Sequence, residues 1–230
     1  MTRPHLPEPA GSDGSRSTAW WPAVVSLAAL ATALAGAGLR PVWHDELYTL
    51  ALARLPLAEL VTALRVDSGP PLHYLLCHLL YLVAGWGEGS AFGTLAVRLP
   101  SVLAFAALPW VVWLGARSSP AARFWGPLLS VSWLPMLYFA TEARAYALLA
   151  LVNALVWILG PGLIARGRGP AVGFAFLAAC LPLLHYTGLI SLAYLPALAI
   201  GLERRHLPRL LLAIAAACLP PLAWMPVMLA

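Results

Sequence analysis

The fold is decided by residues 19–46, AWWPAVVSLAALATALAGAGLRPVWHDE, in which a long apolar run stops at a cluster of polar side chains. The apolar part, about 19–39, has the length of a helix that crosses a membrane, about 20 residues. Directly after it, residues 43–46 read WHDE. Because adjacent carboxylates are costly close to hydrocarbon, we interpret Asp45 and Glu46 as functional rather than as a simple polar end to the helix.

The composition is that of a membrane protein. Of 230 residues, 61% are hydrophobic and 10% are charged, and the mean hydropathy is +0.82. The net charge of +5 comes from arginines in short clusters between apolar runs, which is typical of membrane topology and not of nucleic-acid binding. The three cysteines lie in apolar runs without CxxC spacing, so neither a disulfide framework nor a zinc site is predicted.

The apolar runs predict an all-α polytopic membrane protein with about seven transmembrane helices. Residues 1–18, rich in proline, glycine and serine, are expected to form a disordered cytoplasmic tail. Residues 19–230 are expected to form a single transmembrane module. A cleaved signal peptide is the alternative for the first run, and the spans that follow disfavour it. The further runs are 97–116, 124–140, 146–165, 171–185, 187–202 and 209–228.

Run 71–86 is short for a span and amphipathic. Its polar members recur at helical spacing on one face, and leucines occupy the other. This pattern predicts a helix that lies in the membrane interface. The polar members are His73, Tyr74, Cys77, His78 and Tyr81.

The arginines favour this topology, because cytoplasmic loops collect basic residues. If run 71–86 does not cross, the arginine-bearing turns near 117–123, 166–168 and 203–209 all fall on the side of the N-terminus. We therefore expect a plasma (inner) membrane protein with the N-terminus inside and an extracytoplasmic active face. The first outer loop, 40–96, is long enough to be functional, and Pro56 is expected to start a second short amphipathic helix in it.

The acidic pair at the start of this loop suits acid–base chemistry. Successive side chains on a helix point about 100° apart, so only one of Asp45 and Glu46 can face a given pocket. A partly desolvated carboxylate at the interface is a suitable general base.

Two further candidates lie in the same outer loop. Asp67 precedes a stiff Gly-Pro-Pro turn and either caps that turn or takes part in catalysis. His73, one helical turn later, either donates a hydrogen bond to a phosphate or is an interfacial histidine with no functional role.

Arginines and aromatic residues complete the set of candidates. Arg98 at the outer start of the second span would hold a lipid headgroup or a ligand phosphate.

In the second outer loop, Glu142 and Tyr146 share a helical face, and Arg144 points either to an anionic ligand or to a salt-bridge partner. His185 and Tyr186 mark the outer end of the fifth predicted span. Convergence of such groups at one membrane level is what an active site at the membrane surface requires.

Five motifs in order resemble those of the dolichyl-phosphate-mannose protein mannosyltransferase-like group of membrane glycosyltransferases. This group has the C-type (GT-C) glycosyltransferase fold and includes bacterial family 39 members and aminoarabinose transferases. The resemblance covers nearly the whole chain from about residue 40 onward. The motifs are WHDEL at 43–47, DxxPPLHY at 67–74, RLPS at 98–101, TEARAY at 141–146 and HYTG at 185–188.

The resemblance implies transfer of a mannose- or pentose-like sugar from a polyprenyl-phosphate-linked donor to a protein, lipid or glycan acceptor. By position, Asp45 would deprotonate the acceptor hydroxyl, with Glu46 in support. Glu142 resembles a second acid that orients the acceptor or, with Asp45, helps to hold a divalent cation.

The same resemblance implies substrate-binding roles for residues at the outer face. Arginines and a histidine would neutralise the leaving phosphate. The residues implied in substrate binding are Asp67, His73, Tyr74, Arg98, Arg144, Tyr146, His185 and Tyr186.

The chain departs from the family pattern in two respects. Relatives often carry a histidine where this chain has Gly69, and a tyrosine where it has His73. Relatives also continue with further helices, so a fragment of a longer enzyme is expected. The alternatives are a non-catalytic membrane subunit, or a transporter for a lipid-linked substrate. A transporter would place charged or broken helices at mid-membrane.

Overall fold

A computed structural model describes residues 20–67, 69–85, 91–117 and 119–229, and every regular element in these ranges is helical. The all-α prediction is therefore confirmed, while the predicted tail, 1–18, lies outside the described residues. The helices are α1 (Trp20–Leu39), α2 (His44–Arg54), α3 (Leu57–Asp67), α4 (Pro71–Ala84), α5 (Ala91–Gly115), α6 (Pro120–Ser132), α7 (Leu134–Ala140), α8 (Tyr146–Ala154), α9 (Gly160–Arg166), α10 (Arg168–Leu184), α11 (Gly188–Tyr194) and α12 (Leu207–Leu229). A π-helical turn, Leu155–Leu159, joins α8 to α9, and 3₁₀ turns, Leu195–Gly201 and Arg204–His206, lead from α11 to α12.

Four helical stretches are long and apolar enough to cross a membrane: Trp20–Leu39, Gly93–Gly115, Tyr146–Arg166 and Arg204–Val227. The other three predicted spans are broken or short. The run 124–140 divides at Trp133, whose extended backbone precedes the first turn of α7. The helices Arg168–Leu184 and Gly188–Gly201 are apolar but shorter. Membrane association thus agrees with the fold, and the count of seven spans stays a prediction.

The first and second long helices pack closely because α1 presents small side chains. From Val25 onward its buried residues recur every four positions and face α5. Small residues at this spacing let two helix backbones approach, which is a common basis of helix association in membranes. Helix α5 also contacts α6 and α8, so it lies at the centre of the group formed by α1, α5, α6 and α8. The buried stripe is Val25, Ala29, Ala33 and Ala37.

Successive long helical segments run in opposite directions. The turns between them therefore lie at two opposite ends of the molecule. At one end the Trp21 indole donates to the Phe124 carbonyl at 2.6 Å, and Arg209 donates to the Ile164 carbonyl at 3.3 Å. We name this the basic end, because it carries the turns with Arg117, Arg123, Arg166, Arg168 and Arg209. At the other end, the site end, Arg98 at the start of α5 donates to the Arg40 carbonyl just after α1 at 3.0 Å.

Helix α4 lies at the site end, against α2, α5 and α10. Gly85 ends it with a left-handed backbone, φ 53°, and donates to the Tyr81 carbonyl at 2.9 Å. His73 and Cys77 of the polar face of α4 are buried. On the other face Leu79 and Val83 are exposed, whereas Leu75 and Leu80 pack against hydrophobic clusters. The polar face therefore turns toward the protein, because its hydrogen-bonding groups find partners there, such as the Ala143 carbonyl for His73 and the Ala53 carbonyl for His78.

Candidate active site

The turn between α1 and α2 positions the acidic pair. The backbone after α1 is extended at Trp43, and α2 begins at His44. Asp45 and Glu46 lie in the first turn of α2, where the helix dipole stabilises negative charge. The Glu46 carboxylate folds back and accepts from the Trp43 backbone N–H at 3.5 Å. The two adjacent carboxylates consequently point in different directions.

Glu46 points into the protein and forms a buried ion pair with Arg98. The guanidinium donates through Nε to Oε1 at 2.7 Å and through Nη2 to Oε2 at 2.5 Å. The Ala143 backbone N–H also donates to Oε1, at 2.8 Å. Desolvation would raise the pKa of Glu46, but the hydrogen bonds from Arg98 and Ala143 outweigh it, and the pKa lies below its usual value. Glu46 is therefore a buried anion with all its partners in place.

Arg98 occupies a different place from the one expected. Instead of reaching a headgroup or a phosphate, its side chain is buried, and it also donates to the carbonyls of Ala37, Arg40 and Pro41. A guanidinium fits here because it offers five donors in a fixed plane. Neither Arg98 nor its partner Glu46 lines the cavity described below.

A second pair joins Glu142 to Arg40 at 2.7 Å. The Arg40 guanidinium lies 3.8 Å from the centre of the Tyr138 ring and donates to the Thr141 hydroxyl at 3.1 Å. The Glu142 side chain is almost fully buried. The expected second acid is thus held by an arginine that directly follows the first apolar run, and it does not line the cavity.

The segment 141–145 is fixed through its backbone. The Ala143 carbonyl accepts from Thr49 Oγ1 at 3.3 Å and from His73 Nε2 at 3.1 Å. The next carbonyl, that of Arg144, accepts from Ser101 Oγ at 2.9 Å. With Glu46 on the Ala143 N–H, three different helices hold two successive residues, and the Arg144 side chain is directed away from the protein interior.

Arg144 meets Asp45 at the mouth of an open cavity. Their Nη1 and Oδ2 atoms are 3.1 Å apart, and both side chains are partly exposed, 26% and 37%. The cavity has a volume of about 480 Å³, within the range of sites for small molecules. Its polar lining is His44, Asp45, Tyr48, His73, Tyr74, Arg144, His185 and Tyr186, with Gly69, Pro70, Ala145 and Leu184 between them.

Six of the predicted site residues therefore come together in this cavity, and four others, Glu46, Arg98, Glu142 and Tyr146, do not line it. Asp67 ends α3, and its side chain is not among those the structure describes. Tyr146 lies against the His185 ring, with centroids 5.0 Å apart, and so supports a residue that does line the cavity.

His73 is neutral, and its proton position follows from its partner. Nε2 faces the Ala143 carbonyl, which can only accept, so the hydrogen is on Nε2. Burial and the nearby charge of Arg144 lower the pKa of His73 to about 4. Its one N–H is already used, which disfavours the expected contact from His73 to a phosphate.

His185 lies at the end of α10, in a turn that requires glycine. The Gly188 N–H donates to the His185 carbonyl at 2.8 Å, and a Cβ at Gly188 would lie 2.1 Å from the Leu181 carbonyl oxygen. His185 Nδ1 accepts from the Thr187 backbone N–H at 3.2 Å. Partial burial, then the charge of Arg144, lowers the pKa of His185. The histidine next to Arg144 is therefore neutral at pH 7.

An apolar groove adjoins the cavity. It has a volume of about 190 Å³ and runs between α10, α11 and α12, and Tyr186 lines both the groove and the cavity. The rest of its lining includes Leu183, Leu189, Leu222 and Met225. A polar cavity thus continues into an apolar one at a single tyrosine.

Sequence reasoning missed three participants. Tyr48 lines the cavity one turn after His44 on α2. Residues four positions apart share a helical face, so this spacing could have identified Tyr48. Arg40 was overlooked because it directly follows the apolar run. His44, which belongs to the WHDE stretch but was not among the candidate residues, lines the cavity itself.

The structure does not bring Asp45 and Glu142 together as a pair of metal ligands. Each carboxylate faces its own guanidinium. Among the described residues, no group of three histidine, cysteine or acidic side chains is arranged to hold a metal ion. The divalent cation stays a prediction.

Comparison with models of known protein families, with characterised proteins and with solved structures gives no match.

Proposed function

We propose that this chain is a membrane glycosyltransferase that moves a mannose- or pentose-like sugar from a polyprenyl-phosphate-linked donor to a protein, lipid or glycan acceptor. One observation carries the proposal: an open cavity at the site end holds a partly exposed carboxylate and a partly exposed guanidinium 3.1 Å apart. This pair supplies a base for a hydroxyl group and a cation for a phosphate within one volume of about 480 Å³.

The reaction assigns one role to each side chain. Asp45 accepts the proton of the acceptor hydroxyl, whose oxygen attacks the anomeric carbon with inversion. The bond from the anomeric carbon to the phosphate oxygen breaks, and the polyprenyl phosphate leaves with the bonding electrons. Arg144 stabilises the charge that develops on this leaving group.

Binding of the donor also prepares the base. Arg144 is paired with Asp45 in the structure. A donor phosphate competes for the same guanidinium, since arginine binds phosphate and carboxylate through the same donors. Asp45 is then left without its partner and becomes available to the acceptor hydroxyl.

The groove beside Tyr186 fits the lipid part of such a donor. Its lining is almost entirely apolar, and it opens from the cavity between α10 and α12. A polyprenyl chain would lie in the groove while its phosphate reaches Arg144. The arrangement favours a lipid-linked sugar over a soluble nucleotide sugar.

The topology of the proposal follows from the arginines. Because the turns with Arg117, Arg123, Arg166, Arg168 and Arg209 lie at the basic end, we place that end in the cytoplasm and the site end at the extracytoplasmic face of the plasma membrane. Glu46, Arg98 and Glu142 are assigned as positioning residues, since they hold the segment 141–145 from outside the cavity.

The test uses the full chain, purified and reconstituted in liposomes with a panel of polyprenyl-phosphate-linked hexoses and pentoses. Cell-envelope extract serves as acceptor, and transfer of radiolabelled sugar is measured. We expect transfer from at least one donor, and its reduction by about 10²- to 10⁴-fold in Asp45→Asn.

The matched control is Glu59→Gln, an exposed acid on α3 that does not line the cavity. It should transfer sugar as the unaltered chain does. Absence of transfer from every donor, or equal transfer by Asp45→Asn and Glu59→Gln, would contradict the proposed function.

A further inference from the structure

A second groove lies at the basic end, far from the candidate active site. It runs between α10 and α12 and has a volume of about 280 Å³. Arg168 and Arg209 lie at one end of it, and its length is lined mainly by apolar side chains. Four of these are alanines: Ala171, Ala175, Ala213 and Ala216.

The two walls of the groove have the same spacing. On α10 the lining residues follow Arg168 at three, four and seven positions, and on α12 they follow Arg209 at the same three distances. Such positions share one face of a helix. Each wall therefore begins with an arginine and continues as a stripe of small apolar side chains, so the groove is cationic at one end and apolar along its length.

The cationic end has free hydrogen-bonding capacity. Arg209 donates through Nη1 to the carbonyls of Ile164 and Ala165, at 3.3 and 3.4 Å, which fixes the guanidinium. Its Nε and Nη2 make no hydrogen bond to any residue that the structure describes, and the exposed Arg168 likewise has no partner in those ranges. The neighbouring acid, Glu203, is paired with Arg205 at 2.8 Å.

We propose that this groove binds one anionic phospholipid, with the phosphate between Arg168 and Arg209 and one acyl chain along the alanines. The alanines leave the width that a hydrocarbon chain needs, while the two arginines supply the charge that a net-negative headgroup requires. A zwitterionic lipid fits less well, because its own ammonium group offsets the phosphate charge.

The bound lipid would join the start of α10 to the start of α12. A ligand that binds only the folded chain stabilises it, so this lipid raises the resistance of the bundle to unfolding. The site is independent of the proposed sugar transfer, because none of its residues lines the cavity or the apolar groove at the site end.

The experiment titrates the full chain, purified in detergent, with phosphatidylglycerol and with phosphatidylcholine. Native mass spectrometry counts bound lipids, and thermal unfolding reports stabilisation. We expect one phosphatidylglycerol to bind, roughly 30-fold more tightly than phosphatidylcholine, and most of this preference to disappear in the double variant Arg168→Gln/Arg209→Gln.

Two further variants separate the parts of the site. Arg117→Gln removes an exposed arginine at the same end but outside the groove, and it should leave binding unchanged. Ala216→Phe keeps both arginines and fills the groove, and it should weaken phosphatidylglycerol binding. Each variant is also unfolded without lipid, so that a change in folding is not mistaken for lost binding.

Three results would overturn the proposal. Phosphatidylcholine could bind as tightly as phosphatidylglycerol, or Arg117→Gln could weaken binding as much as the double variant, which would indicate general surface charge. Competition by sn-glycerol 3-phosphate as effective as that by the whole lipid would indicate a site for a free phosphate.

Discussion

The same chemical pair, an arginine and a carboxylate, occurs in two very different settings at the site end. Glu46 and Arg98 are buried, with side-chain exposures of 0% and 1%, and their polar atoms are bonded to the surrounding backbone. Asp45 and Arg144 are partly exposed, at 37% and 26%, at the mouth of a cavity. The first pair has its hydrogen-bond partners inside the protein, whereas the second pair is accessible to a ligand.

The difference shows how adjacent residues acquire unrelated tasks. Asp45 and Glu46 are neighbours in sequence, but the helix turns one toward solvent and the other toward Arg98. A buried charge is tolerated only with its partner, and a partly exposed pair contributes little to stability. We therefore expect the buried pairs to determine stability and the open pair to determine chemistry.

The largest effect is expected from breaking the buried pair on one side only. Arg98→Met leaves the Glu46 carboxylate buried without its cation, which should lower the free energy of unfolding by about 3–5 kcal/mol. Chemical denaturation in detergent measures it. Adding Glu46→Gln to this variant removes the orphaned charge and keeps an acceptor for the Ala143 N–H, so it should restore part of the loss. A loss below about 1 kcal/mol would show that this pair behaves like a surface pair.

A change of pH sharpens the comparison at the buried side. His73 is buried with a pKa of about 4, against 6.5 in the unfolded chain, and Arg144, Cys77 and Tyr74 surround it. Below pH 6.5 the histidine is protonated in the unfolded chain but stays neutral in the folded chain. The free energy of unfolding should therefore have its full value above pH 6.5 and be lower by about 3 kcal/mol at pH 4.

The control for this pH dependence is His73→Gln, whose amide N–H can still reach the Ala143 carbonyl. Glu46, whose pKa is also lowered, destabilises both proteins equally when it is protonated. The unfolding free energy of the variant should therefore vary less between pH 6.5 and 4. Parallel curves for the two proteins would show that His73 is not the group responsible.

A smaller effect is expected from the second pair. Glu142→Gln removes the charged partner of Arg40, which should cost about 1.5–3 kcal/mol of unfolding free energy. The cost is lower than for Arg98→Met because Arg40 is 23% exposed and keeps its contacts with Tyr138 and Thr141. A loss as large as that of Arg98→Met would place both pairs in one class.

The sequence alone predicted that the fold is helical and that the polar groups lie together at one end of the molecule. Apolar runs located the helices, and the arginine turns separated the two ends. The cavity that joins Asp45, Arg144 and His185 agrees with their expected common level.

The pairing of charges was not predictable in the same way. Which arginine meets which carboxylate depends on contacts across about 50 to 100 positions, such as Glu46 with Arg98 and Arg40 with Glu142. Helical periodicity describes one helix at a time and carries no such information. For the same reason the amphipathic pattern of α4 predicted a helix in the membrane interface but not that its histidine and cysteine contact the protein interior.

The most direct measurement compares Asp45→Asn with Glu46→Gln, the same chemical change at two adjacent positions, by unfolding and by sugar transfer in liposomes. Asp45→Asn should change the unfolding free energy by at most about 1 kcal/mol and reduce transfer by about 10²- to 10⁴-fold. Glu46→Gln should lower stability by several times that amount, while the chain that remains folded loses much less transfer than Asp45→Asn, because Glu46 only positions the segment 141–145. Undiminished transfer by Asp45→Asn, or equal destabilisation by the two changes, would contradict the division between an open reactive pair and a buried supporting one.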